Sequence, residues 1–526
     1  MIFLRSSRRW LRRRLSESWA AWLRPNCSTS AVFPRTQHTL SSTSLIQEAA
    51  YQSLLKSTRK EYHARIANVM EERFPETVAT HPELLAHHLT RAGLNQRAAG
   101  YWYRAGQRAI GRSANLEAIT QLRNALDVLE ALPAGQERTQ QELAIQALLG
   151  MAVIFAKGYS DREVEQAYAR ARELCGQLGE TPLLYPVLWG LWAYYLVRGD
   201  YEVSHDIGQL LLTMAERQQD TDLLLEAHVT QGLNSFCGGS GLPAARAHFE
   251  RAGALYDLHK HDAHALTYGQ DPGVVSLAVL SWVLWLQGYP DQALAVHRKC
   301  LELAEARSHQ YSLAYALAYG ATFRQFRRDL EAAKELAERG ITLSTERGFP
   351  IWTMAASYTL GWTFTRAGET EKAVAYLREA IQAWHAIGAQ VTRPHQLGVL
   401  ADALAGAHRP EEGLKVLEEA VCEVRKTNER YYEPELYRLT GELLLQSAAA
   451  NEEQASAAFL RSLECARSLG AKSWELRAAI SLARLRVKQG KREQARVALA
   501  NVYEWFTEGF DTPDLRDAKI LLAESV

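Results

Sequence analysis

The sequence predicts an all-α fold, a solenoid of stacked helical hairpins wound into a superhelix. Three observations predict it. A turn residue recurs with a period of 40, at Gly288, Arg328, Gly368 and His408. Small residues stand at fixed offsets from each turn: Ser281, Ala321, Gly361 and Ala401 before it, Ala293, Ala333, Ala373 and Gly413 just after it, and Cys300, Gly340, Ala380 and Ala420 two helical turns further on. No alternating apolar and polar stretch of useful strand length occurs. Two helices that cross closely need small side chains at the crossing. A fixed period means a stacked array, in which each unit buries its apolar face only against its neighbours.

The composition agrees. The chain has 526 residues, 47% of them apolar, and only 15 prolines. That suits long helices interrupted at few points. Lys plus Arg and Asp plus Glu number 60 each, so no global basic field favours nucleic-acid binding. The six cysteines, Cys27, Cys175, Cys237, Cys300, Cys422 and Cys465, are far apart and form no CxxC pair. They point to a reducing cytoplasm. No apolar run approaches the roughly 18 uncharged residues of a membrane span.

The first 44 residues are of another kind. Met1–Ser44 holds eight arginines, no lysine and one acid, Glu17, with Trp10, Trp19 and Trp22 and a Ser/Thr-rich end. This composition is shared by organellar transit peptides and by basic membrane-surface segments. A disordered tail is the simplest expectation.

From Leu45 the chain reads as helices. One or two occupy 45–74 and stop before Pro75; Pro82 breaks the next stretch. A first hairpin spans 81–91 and 96–112, and another helix spans 114–132. Hairpins follow at 139–157 with 161–178, 182–198 with 201–218, and 222–236 with 243–257. Next come 273–287 with 291–307, 312–327 with 330–346, and 351–366 with 370–387. The last are 394–406 with 411–427, 433–447 with 452–468, and 472–488 with 492–507, closed by 514–524. Shared faces carry these assignments, for example Leu184, Leu188, Leu191 and Tyr195, or Ala373, Leu377, Ala380 and Trp384. Two places break the rhythm, 234–243 with its glycines and 259–272 with its histidines. Such departures map to loops on one face of a solenoid.

Candidate chemistry is sparse. His259, His261, Asp262 and His264 have the residue types of metal ligands, but no second ligand cluster completes a tetrahedral set. They read as a solvated polar turn. His87 and His88 are adjacent and diverge on a helix. Gly490-Lys491 lacks the glycine spacing of a phosphate loop, and neither GxSxG nor HExxH occurs. No catalytic site, cofactor or metal is expected. The aromatic residues Trp189, Trp192 and Tyr195, with Trp282 and Trp285, exceed what one helix face needs. Buried packing between repeats explains many of them; a concave groove holding a peptide or small effector is the functional alternative.

The small-residue signature, with a larger apolar residue four positions after the middle one (Leu377, Leu417, and Leu499 after Ala495), resembles the tetratricopeptide repeat. Its period exceeds the standard value of about 34, so its helices are longer. Four further stretches sharpen the resemblance: Leu45–Leu55, Pro82–His88, Tyr268–Val274 and Tyr432–Arg438. They look like the C-terminal region of bacterial proteins that join a class III adenylate/guanylate cyclase, an AAA-type ATPase and a tetratricopeptide array. Upstream of Leu45 the match stops: Ser41-Ser42-Thr43-Ser44 replace the family's Phe-Lys-His-Ala-like residues. The family's catalytic motifs are absent from this sequence, so its activity is not carried over.

The expectation is therefore an atypical segment over 1–44, a helical remnant of the segment following an ATPase over 45–80, and a repeat array over 81–526. The resemblance implies a non-catalytic interaction or regulatory scaffold, like the sensor arm of a signalling ATPase or cyclase. The alternative is the regulatory part of a cyclase or transcription-activator ATPase that binds a small effector in its groove. Candidate groove residues are Trp189, Trp192, Tyr195, Tyr268, Gln270, Asp271, Trp282 and Trp285. The partner would be a protein or small effector rather than a nucleic acid, and no membrane span is expected.

Overall fold

The computed structural model describes residue 49 and residues 51–524, except 180, 239–240, 259, 261–263 and 448–450. The segment 1–44 thus lies outside the described residues, as do His259, His261 and Asp262. Contacts divide the chain into two units at Tyr62 and His63. In the first, Ser53 N donates to Ala49 O at 3.0 Å and the Arg59 guanidinium lies 5.3 Å from the Tyr51 ring centroid.

Among the described residues every regular element is a helix. The array opens with α1 (Lys56–Arg73), α2 (Pro75–Thr80), α3 (Pro82–Ala92), α4 (Asn95–Gly111) and α5 (Asn115–Glu130). Hairpins follow as α6 (Gln136–Lys157) with α7 (Arg162–Leu178), α8 (Leu184–Val197) with α9 (Tyr201–Gln218), and α10 (Thr221–Cys237) with α11 (Leu242–Leu255). The short α12 (His264–Tyr268) precedes α13 (Pro272–Leu286) with α14 (Pro290–Ala306), α15 (Gln310–Arg327) with α16 (Leu330–Arg347), and α17 (Pro350–Arg366) with α18 (Thr370–Ala386). The series ends with α19 (Arg393–Gly406) and α20 (Pro410–Thr427), α21 (Glu433–Ser447) and α22 (Glu452–Leu469), α23 (Lys472–Lys488) and α24 (Arg492–Tyr503), and α25 (Pro513–Glu524). This is the tetratricopeptide-like helical-hairpin solenoid that the period predicts. The structure departs from the sequence reading at α12, a helix inside the 259–272 stretch read as a loop, and at α24, which stops at Tyr503, short of the 507 read from the sequence.

The turns show why the period is visible. Gly288, Arg328, Gly368 and His408 all take positive φ, at 90°, 62°, 83° and 58°. Each ends its helix with the same pair of hydrogen bonds. Gly288 N donates to Trp285 O at 3.0 Å and Tyr289 N to Leu284 O at 2.9 Å; His408 N donates to Ala405 O at 3.1 Å and Arg409 N to Leu404 O at 2.9 Å. This left-handed cap satisfies the last carbonyls and reverses the chain in two residues. Pro290 and Pro410 then begin the next helix, as Pro350 does after the cap at Gly348, where a missing N–H costs nothing.

The periodic small residues are all buried at helix crossings. A Cβ on Gly361 would lie 2.6 Å from the Leu377 side chain, and Ala373 is fully buried. Gly361→Leu or Ala373→Leu is therefore expected to overpack the α17–α18 crossing and cost about 1–3 kcal/mol. Thermal unfolding unchanged by both would refute this register.

First and second helices of the hairpins differ in kind. α18 buries one face, through Ala373, Val374, Leu377, Ala380, Ile381 and Trp384, and leaves the other wet. α13 buries every residue but Leu277. A helix apolar all round has to be covered all round. Neighbouring repeats cover only part of it, so something else fills the inside of the solenoid.

Candidate functional site

The inside is filled by the chain itself. Hydrogen bonds join hairpins whose residues lie 151 to 228 positions apart in sequence. Near one end Ser160 Oγ donates to Ile387 O at 2.8 Å, and Gln390 N and Val391 N donate to Val197 O at 2.9 and 3.1 Å. In the middle Glu429 accepts from Tyr201 OH at 2.7 Å and from Thr392 N at 2.9 Å. Further on, Ser473 Oγ donates to Trp285 O, and Arg477 Nη2 donates to Phe326 O at 2.6 Å. Arg328 pairs with Asp514 and Asp517, both at 3.0 Å. Successive turns of the superhelix thus rest on one another, and the first helices face inward onto aromatic contacts.

Those contacts decide where the sequence candidates go. Trp282 stacks on Tyr319 with centroids 4.7 Å apart, and its Nε1 donates to Tyr319 O at 3.0 Å. Trp285 stacks on Phe326 at 5.3 Å and meets Trp474 edge-on at 4.8 Å. Asp271 caps α13, accepting from Val274 N at 3.0 Å, and pairs with Arg307 at 3.1 Å. Tyr268 is buried, its ring 5.5 Å from that of Trp189. Tyr195 is half-buried and turns the other way, its hydroxyl donating to Glu165 at 3.0 Å. Seven of the eight candidates are buried, so they occupy the solenoid interior rather than the wall of an open groove.

Trp189, Trp192 and Gln270 are brought together. They line an interior cavity of about 70 Å³, which Tyr159, Trp352 and Trp384 also border. Gln270 Nε2 donates to Tyr159 OH at 2.5 Å, and Trp192 Nε1 donates to Asn234 Oδ1 at 3.0 Å. One acid reaches the wall, Glu226, which contacts His264 Nδ1 at 2.7 Å. Burial strips both groups of water. It raises the Glu226 pKa above its ordinary value. For His264 burial acts downward, but the carboxylate beside it more than offsets this and its pKa ends raised. So His264, read from the sequence as part of a polar turn, is a buried partner of Glu226.

Sequence reasoning missed Tyr159, Tyr315, Tyr319, Trp352 and Trp384. One signal was available. Tyr311, Tyr315 and Tyr319 recur every fourth residue of α15, and Tyr315 and Tyr319 stack at 4.1 Å. A stripe of tyrosines along a helix rich in alanine marks a covered aromatic face. Among the described residues no group of three or more His, Cys, Asp or Glu side chains could hold a metal ion.

Residues 355–383 match the family model described as tetratricopeptide repeat, a stretch covering α17 into α18. The chain carries a tetratricopeptide-repeat region. It is 25% identical over 452 residues to an uncharacterized protein of Rhizobium meliloti (strain 1021), a match covering 85% of this chain and 43% of that one. The chain thus spans less than half the length of this curated relative. Solved structures similar to it include a Rap protein complexed with competence and sporulation factor, with a TM-score of 0.44 and 12% identity over 82% of this chain and 99% of the other. A human IFIT1 dimer with PPP-AAAA has a TM-score of 0.42 and 12% identity, covering 82% and 89%. Yeast Tom70 has a TM-score of 0.32 and 13% identity, covering 89% and 96%.

Proposed function

We propose that the chain is a non-catalytic interaction and regulatory scaffold, the sensor arm of a signalling ATPase or nucleotide cyclase. What carries this reading is a repeat array whose hairpins are spent on packing against neighbours and on the next superhelical turn. The motifs at Leu45–Leu55, Pro82–His88 and Tyr432–Arg438 support the cyclase–ATPase association. The relative's extra length supports it too, since the match leaves more than half of that protein for other functions. Residues 45–80 are then the helical segment following the ATPase module.

The partner is a protein or a small effector. Equal numbers of acidic and basic residues speak against nucleic acid. Free, buried Cys175, Cys237, Cys300 and Cys465 suit a reducing cytoplasm. No helix among the described residues is long and apolar enough to cross a membrane. A second reading, an effector site inside the solenoid, is favoured by the cavity at Trp189 and Gln270.

The test is the intact mass and N-terminal sequence of the protein from its native cell, with its co-purifying proteins. A product extending upstream of Leu45 into an ATPase, or a 59.0 kDa chain bound to one, is expected. A 59.0 kDa chain that captures no protein would overturn the reading.

A further inference from the structure

The first hairpins carry a charge that the balanced total hides. Between Glu83 and Glu117 the sequence holds five arginines and no acid. Two of them are spent on pairs within the chain, Arg97 with Glu71, and Arg112 with Glu117 at 3.0 Å. Arg104 and Arg108 are exposed and pair with no carboxylate among the described residues. They stand about one turn apart on α4 and line a groove of about 580 Å³.

The groove has two unlike walls. One is apolar, built by Pro75, Val78 and Ala79 of α2 and by Pro82 at the head of α3. The other is α4, with Arg104, Gln107 and Arg108 beside Tyr101. One acid, Glu71, reaches the groove. It is already held by Arg97 and accepts from Tyr101 OH at 3.0 Å, so its charge is spoken for. The Arg104 guanidinium lies 5.0 Å from the Tyr101 ring centroid, which positions it without neutralising it.

An occupant that satisfies both walls brings acidic groups and an apolar one together. A nucleic-acid strand brings charge but no aliphatic side chain for the α2 wall, and a neutral effector brings no charge. Arg104 and Arg108 are about 6 Å apart along the axis of α4. Alternate residues of an extended chain point the same way at about 6.6 Å, a close match. Two turns of helix would fill on the order of 1000 Å³, more than this groove holds. We propose that the groove docks an extended acidic segment of a protein partner. Its alternate carboxylates meet Arg104 and Arg108, and the apolar side chain preceding them lies against Val78 and Pro82. This site rests on the scaffold reading and adds to it the place and chemistry of the partner.

The full chain is titrated with a fluorescein-labelled peptide, Leu-Ser-Glu-Ser-Glu flanked by glycines, and with the same peptide carrying Gln for both Glu. Fluorescence anisotropy at low salt gives the affinities. The acidic peptide should bind saturably and about tenfold more tightly than the Gln form, and salt should weaken it. Arg104→Glu and Arg108→Glu should each weaken it about tenfold, and the double variant should instead bind the peptide with Lys for both Glu. Both positions are exposed, so Tm should hold. Ala79→Trp, which fills the groove from α2 and leaves its charge alone, should abolish binding. Arg347→Glu, at an exposed arginine of α16, should change nothing. Equal binding of the acidic and Gln peptides, or an equal loss with Arg347→Glu, would overturn the proposal. Tighter binding of a short thymidine strand would also overturn it and give the groove to nucleic acid. A dimer that Arg104→Glu dissolves would overturn it in favour of a second copy. No peptide binding by the folded chain, with a partner still captured in the native cell, would overturn this site and leave the scaffold reading standing.

Discussion

Replacing Trp282 with alanine is expected to lower stability by about 3–5 kcal/mol. Trp282 is 1% exposed and lies where three parts of the chain meet. Its ring stacks on Tyr319, meets Phe326 edge-on at 5.2 Å, and lies 6.1 and 6.3 Å from Phe236 and Tyr431. Tyr319 and Phe326 belong to the next repeat, but Tyr431 belongs to the next superhelical turn. Truncation therefore removes contacts within the stack and between turns, and it removes the indole N–H that donates to Tyr319 O. Urea unfolding followed by circular dichroism measures the loss. Leu116→Ala, at a residue 70% exposed, should change stability by no more than about 0.5 kcal/mol. Because repeat arrays need not unfold in one step, amide exchange supplies the local readout. Protection should fall around Tyr431 as well as around Trp282. A loss confined to α13 and its sequence neighbours would mean that the turns do not rest on one another in solution.

The second large effect is a pH dependence set by Glu429. This carboxyl is 1% exposed and bridges two turns through Tyr201 OH and Thr392 N. Burial pushes its pKa up to about 7, while the two donated hydrogen bonds pull the other way. The folded chain therefore holds a proton here that the unfolded chain releases near 4.5. Between those values the native state binds more protons, so stability falls as pH rises from about 4.5 to about 7. The contribution is present in full below the unfolded pKa and is on the order of 3 kcal/mol. Glu429→Gln keeps an acceptor for Thr392 N and a polar partner for Tyr201, and it cannot ionise. The variant should lose this slope and be more stable than the wild type at pH 8.

Histidines contribute with the opposite sign. Burial pushes His297 and His395 down to about 3, so their stabilisation is complete above 6.5 and is lost progressively as pH falls from 6.5 toward 3. The Glu429 contribution is therefore read from the difference between wild type and variant across the pH range. A difference that does not change with pH would show that Glu429 is not protonated in the native interior.

Much of the fold was legible from local chemistry. The caps at Gly288, Arg328, Gly368 and His408 need positive φ, and two of them use glycine for it. The small residues that mark each crossing stand at constant offsets because the hairpin geometry is constant. Helix limits followed from prolines and apolar periodicity, both properties of a few adjacent residues. The candidate site was legible only in part. Trp189 and Trp192 drew notice as aromatic residues and Gln270 as part of the Tyr268–Val274 stretch, and the three do share a cavity. Tyr159 joins the wall from the preceding hairpin, while Trp352 and Trp384 complete it from repeats far away in sequence, and no local spacing relates these two to Trp189. Tyr195 shares a helix with Trp189 and Trp192 but takes the opposite face, with Glu165.

The sequence by itself determined the repeat, the helices and their crossings, because each depends on residues within about one hairpin of each other. Only the tertiary structure decided that the interior is closed. That closure rests on pairs such as Tyr201 with Glu429 and Trp285 with Ser473, 228 and 188 positions apart. Such pairs depend on how small rotations between repeats add up over a whole superhelical turn. No local pattern encodes that sum. Its one trace in the sequence is a helix such as α13, apolar on every face, which neighbouring repeats alone could not cover.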